Sequence, residues 1–97
     1  MQNYPQKDLI RRFFEAIDLL EEEKKIPGII YFITEYNLPK TRIFGLKKIT
    51  ETDEIVDYRN VPLEAIYALA KDFGISLEWL FFGIGKPKKK YKFDAEI

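Results

Sequence analysis

Between Gly28 and Lys48 the chain reads GIIYFITEYNLPKTRIFGLKK, a run that suits two short helices around a sharp bend. On the N-terminal side, Ile29, Phe32, Ile33 and Tyr36 follow the i, i+3, i+4, i+7 spacing of one helical face. The pattern breaks at Asn37-Leu38-Pro39: Asn tolerates left-handed backbone, and the residue before a proline is pushed out of the α region. Beyond the break a second short helix over about 40–48 is predicted, with Ile43 and Leu46 inward. Its remaining residues, Lys40, Thr41, Arg42, Lys47 and Lys48, are expected to face outward. Helix, three-residue turn, cationic helix is the layout of a helix-turn-helix, whose second helix lies in the major groove of DNA.

The flanking sequence supplies further helices. Asp8 suits the start of a first helix, because an acid there meets the positive end of the helix dipole. From Leu9 to about Glu22, the apolar positions Leu9, Ile10, Phe13, Phe14, Ala16, Ile17, Leu19 and Leu20 form a broad stripe of helical period. Pro27 closes that segment, and Gly28 is expected to begin the second helix as its N-cap. After the cationic helix comes an acidic connector, 49–60, without helical periodicity. A fourth helix is predicted from Asn60 or Val61 with Pro62 in its first turn. Leu63, Ile66, Tyr67, Leu69, Ala70 and Phe73 are its expected buried face, and Gly74 its left-handed stop. Ser76 is the expected N-cap of a fifth helix over 77–82, with Leu77, Trp79, Leu80 and Phe81 in the core and Gly83 ending it. The ordered core is therefore expected over about 8–83 of a single domain spanning 1–97, with 84–97 a lysine-rich tail.

The turn and second helix, Asn37 to Lys48, resemble the corresponding run of phage CI-repressor helix-turn-helix domains, the lambda-repressor-like or XRE-like superfamily. A more specific likeness lies downstream. Val61-Pro62, then Ala70-Lys71-Asp72-Phe73-Gly74-Ile75-Ser76-Leu77-Glu78-Trp79-Leu80, and Gly83, Gly85 and Pro87 are similar to that family's closing segments. The two stretches cover roughly residues 28–87. The resemblance implies an all-α, compact five-helix lambda-repressor-like bundle containing the helix-turn-helix. It also implies a transcriptional regulator that binds double-stranded DNA, palindromic operators being met by a homodimer. Carried over residue by residue, the groove-facing positions are Lys40, Thr41, Arg42, Phe44 and Gly45. Lys47 and Lys48, at the end of that helix, are expected either to complement the negative end of its dipole or to contact phosphates. Where the family often has a phosphate-orienting Gln or Ser, this chain has Gly28-Ile29, leaving backbone N–H groups to hold a phosphate. The 49–60 connector is longer than the family's.

Charge is segregated along the chain. The totals balance at 16 cations and 16 anions, which counts against an indiscriminate polyanion binder. Residues 38–48 nevertheless contain four cations and no acid, and 86–92 contain Lys86, Lys88, Lys89, Lys90 and Lys92. The tail lysines are candidates for sequence-independent DNA contact. Acids gather at 21–23 and at Glu51, Asp53, Glu54 and Asp57; these lack the glycine and terminal glutamate of a calcium loop, so no metal site is expected.

Other chemistry is poorly provided for. Without Cys or His there is no thiolate, and the commonest metal ligand and general base are missing. No base is spaced to activate Ser76 or a threonine, and Gly83-Ile84-Gly85-Lys86 lacks the full phosphate-loop spacing. No enzyme, cofactor or small-molecule substrate is expected. No apolar run approaches a membrane span and nothing resembles a signal peptide, so a soluble cytoplasmic protein without membrane partners is expected. Trp79 reads as a core anchor. The alternative function is a helix-turn-helix that serves as a protein–protein interaction module, favoured by the neutral charge, the acidic connector and the apolar Ile29, Tyr36 and Phe44.

Overall fold

A computed structural model of the chain describes residues 5–51 and 61–88, which form an all-α bundle of five helices. α1 spans Pro5–Glu22, α2 Ile29–Glu35, α3 Lys40–Glu51, α4 Leu63–Phe73 and α5 Leu77–Phe82. α1 is the hub, against which α3, α5 and α4 all pack. Its stripe behaves as periodicity dictates: Leu9, Ile10, Phe13, Phe14, Ala16, Ile17 and Leu20 are buried, while Arg11, Glu15 and Asp18 face solvent. The helix begins at Pro5, before Asp8. The Asp8 carboxylate instead accepts a hydrogen bond from Arg11 one turn on, at 2.9 Å, an exposed pair contributing a few tenths of a kcal/mol at most.

After α1 the chain turns through Lys24, which takes a left-handed φ of 61°, and the Lys25 N–H donates to the Leu20 carbonyl. This tight exit brings Ile26 back into the core. α2 then contributes Phe32 and Ile33. Phe32 stands at the centre of an aromatic cluster, with ring centroids 6.2 Å from Phe13, 5.0 Å from Tyr36 and 6.1 Å from Phe73, so α1, α2 and α4 meet through it.

Asn37 makes the predicted break, with φ 54°, and the Leu38 N–H closes the end of α2 by donating to the Ile33 carbonyl at 2.9 Å. Leu38 is buried, and the Pro39 carbonyl accepts the N–H of Ile43 to open α3. α3 runs to Glu51, longer than predicted, so the connector begins as helix; the rest of it, 52–60, lies outside the described residues.

In α4 the core face differs from the one predicted. Pro62 is the N-cap rather than a first-turn residue, and Ala65, Ile66, Ala68 and Leu69 are buried. Leu63 and Tyr67 are 75% and 62% exposed. The two alanines let α4 approach the core where a tyrosine ring would not fit. Gly74 ends α4 at φ 72°, as predicted.

Ser76 caps α5, its buried Oγ accepting the Trp79 N–H at 3.2 Å. Trp79 and Leu80 fill the core, but Leu77 and Phe81 are half-exposed, contrary to expectation. Six residues present only two inward positions, because a helix of fewer than two turns has one narrow buried arc. Arg12, from the hub, donates from Nε to the Leu80 carbonyl at 2.8 Å and from Nη2 to the Phe81 carbonyl at 3.0 Å. It thereby satisfies carbonyls the end of α5 would leave unpaired. The stretch after Gly83 is held down too: the Ser76 N–H donates to the Pro87 carbonyl at 2.7 Å, and Ile75 and Lys88 form an isolated antiparallel bridge. Residues 84–88 of the expected tail are thus tied to the bundle, and the rest of that tail lies outside the described residues.

Candidate nucleic-acid interface

Helical geometry sorts the cations of α3. Ile43 and Leu46 are fully buried and define the inward direction. Counting about 100° per residue, Lys40, Thr41, Phe44, Gly45 and Lys48 share the opposite arc. Together they line a shallow open concavity of about 430 Å³. Lys40, Thr41 and Lys48 are exposed, whereas Phe44 and Gly45 are half-buried and form its floor. Phe44 leans on the hydrophobic core, so its position is fixed by packing. Among the described residues no carboxylate lines this surface, and the first turn of α3 contains no acid.

Arg42 and Lys47 lie elsewhere. Arg42 sits roughly 130° from the centre of that arc, beside the buried edge. It is half-buried, and its Nε is shielded from solvent without a hydrogen-bond partner. The expectation that Arg42 faces outward with Lys40 is therefore corrected: only part of the side chain reaches solvent, and from the flank. Lys47 is exposed at the other edge. Because α3 continues to Glu51, Lys48 but not Lys47 falls in its last turn, where a cation complements the dipole.

At Gly28 the geometry is less favourable to an anion than the sequence suggests. Gly28 caps α2 with extended backbone, φ 167°, a conformation any residue adopts. A β-carbon added there would lie 4.0 Å from a Glu21 carboxylate oxygen, so the acidic end of α1 already presents negative charge to this corner. Lys88 is also committed, its Nζ standing 3.0 Å from a Glu23 carboxylate oxygen. Lys86 is exposed; Lys89 and Lys90 lie outside the described residues.

A second surface lies beside the helix-turn-helix. Tyr36, Leu63, Glu64, Tyr67, Ala68, Lys71 and Asp72 line an open groove of about 470 Å³ between the end of α2 and α4. The Lys71 ammonium stands 5.5 Å from the Tyr67 ring centroid. The Tyr36 hydroxyl donates to Asp72 at 2.6 Å. Burial first, and then this bond to a carboxylate, push the Tyr36 hydroxyl up to about 12. The i, i+4 pair Leu63–Tyr67 was the available sequence signal, but it reads equally as core.

Among the described residues no group of acidic side chains is placed to hold a metal ion, and no helix is long and apolar enough to cross a membrane. Compared with known protein families, characterised proteins and solved structures, the chain has no significant match.

Proposed function

We propose that the chain is a DNA-binding transcriptional regulator and that α2, the Asn37 turn and α3 act as a helix-turn-helix. The observation that carries this reading is the outward arc of α3, where the described residues lining the surface, Lys40, Thr41, Phe44, Gly45 and Lys48, include no acid. In this reading Lys40 and Lys48 meet phosphates or guanine edges, Thr41 a phosphate or a thymine methyl, and Gly45 brings the helix backbone close to the duplex. Lys40 at the positive end of the helix dipole is unfavourable for α3 by itself, and a bound phosphate would relieve it. Two copies would read the two halves of a palindromic site. Titration of a labelled duplex with the wild type and with Lys40→Gln/Lys48→Gln tests this; equal binding by both, or none by either, removes it.

The second reading, a protein-interaction module, is favoured by the 470 Å³ groove with its exposed Leu63 and Tyr67. Loss of a partner on Tyr67→Ser with DNA binding intact would support it.

A further inference from the structure

The outward arc of α3 is polar at its rim and apolar at its centre. Phe44 is half-buried and leans on the hydrophobic core, so packing holds its ring in place as the floor of the concavity of about 430 Å³. Lys40 and Thr41 precede it by four and three residues and Lys48 follows it by four, the spacing of neighbours on one helix face. Gly45, beside the ring, adds no side chain to hold a ligand away from it.

The base edges of a major groove differ in what they require of such a surface. Adenine is met by an Asn or Gln that accepts and donates together, and cytosine by a carboxylate that accepts from its amino group. Among the described residues lining the arc there is no Asn, Gln, Asp or Glu. Lysine donors suit guanine or phosphate, and an apolar ring suits the thymine 5-methyl, the apolar group of those edges.

We infer that Phe44 is the specificity-determining residue of the proposed DNA interface and selects thymine by receiving its 5-methyl group. This rests on the DNA-binding reading and adds to it the base that α3 reads. The rim lysines hold the duplex against the helix, and the methyl group leaves water for the ring. Thr41 also bears a methyl group, but at the exposed rim and beside a hydroxyl that a phosphate satisfies. The ring is central and fixed.

Selection from a randomised duplex library supplies a bound duplex, which is then resynthesised with deoxyuridine replacing one thymine at a time. That exchange deletes a methyl group and leaves the hydrogen-bonding edge unchanged. For the wild type, one position in each half-site is expected to weaken binding about fourfold, the transfer free energy of one methyl group read as an affinity ratio. Phe44→Ala should bind the thymine and uracil duplexes alike. Thr41→Ser, which removes the other methyl group from the arc, should keep the fourfold ratio. Each ratio is taken within one protein, so the fraction of folded molecules cancels, and the wild-type and Thr41→Ser ratios decide the matter even where Phe44→Ala does not fold. The inference is overturned if selection enriches no thymine-containing sequence, if no thymine responds to loss of its methyl group, if Phe44→Ala keeps the ratio, or if Thr41→Ser loses it. Binding that weakens in Lys40→Gln/Lys48→Gln but ignores uracil overturns this inference alone. A wild type that binds no duplex overturns it together with the DNA reading.

Discussion

Replacing Lys40 and Lys48 by glutamine removes two positive charges from the outward arc of α3 and leaves Ile43 and Leu46 in place. Each lysine that neutralises a phosphate releases a counterion, so the slope of log K against log salt changes by about 0.9 per contact. The double variant should therefore bind a mixed-sequence duplex with a slope shallower than the wild type by about 1.8 for each protomer bound. Between 50 and 200 mM salt that amounts, per protomer, to about tenfold less affinity lost by the variant than by the wild type. Fluorescence anisotropy of a labelled duplex at several salt concentrations measures both slopes. Arg42→Gln supplies the internal comparison. It removes the same charge from the same helix, but from the flank where Nε is shielded, so its slope should match the wild type. Parallel slopes for wild type and double variant would refute the assignment of the arc. So would a drop of about 0.9 per protomer for Arg42→Gln, the share of a single lysine, because charge anywhere on α3 would then suffice.

The Tyr36 hydroxyl, raised to about 12 from the ordinary value of 10, favours the folded state while protonated. Its contribution is complete below pH 10 and is lost as pH rises through about 12. After discounting for solvent access it is about 1–2 kcal/mol; Tyr36→Phe should remove that alkaline loss in denaturation measured across pH, and Asp72→Asn should lower the tyrosine titration seen by ultraviolet absorbance. Ser76→Ala leaves the Trp79 N–H without its acceptor and should cost about 1 kcal/mol by urea denaturation. Arg12→Ala should cost about 1–3 kcal/mol, with Arg12→Lys recovering only part, since an ammonium cannot span both carbonyls in the guanidinium's fixed geometry. A β-carbon at Gly83 would come 3.1 Å from Arg12 Nη1, so Gly83→Ala should be less costly in the Arg12→Ala background; strict additivity in a double-mutant cycle would contradict that contact.

The parts of the fold legible in the sequence are those fixed locally. Asn37, Gly74 and Gly83 take left-handed backbone where turn chemistry places them, and Ser76 accepts the N–H its cap position demands. The stripe of α1 is long enough for its period to define one buried face. α4 and α5 are different, because apolar residues occupy most of their circumference and periodicity alone does not choose the inward arc. Packing against α1 chooses it, and it selects small Ala65 and Ala68 over bulky Leu63 and Tyr67. Arg12 was illegible for a related reason: its partners are backbone carbonyls at a separation of 68 residues and more.

The same distinction governs the candidate site. In sequence Lys40, Arg42, Lys47 and Lys48 look like one cluster of four charges, but at about 100° per residue Arg42 falls about 120° or more from each of the other three. Only Lys40 and Lys48 line the arc, so one protomer offers about two phosphate contacts and a slope near −1.8. That is about tenfold in affinity between 50 and 200 mM salt, far short of the thousandfold or more seen for proteins making 6–10 contacts. A single copy of α3 is thus a weak anchor, and tight operator binding would need a second copy on the same duplex. The wild-type slope therefore reports stoichiometry: a value near −1.8 means one protomer bound through α3, and a value near −3.6 means two.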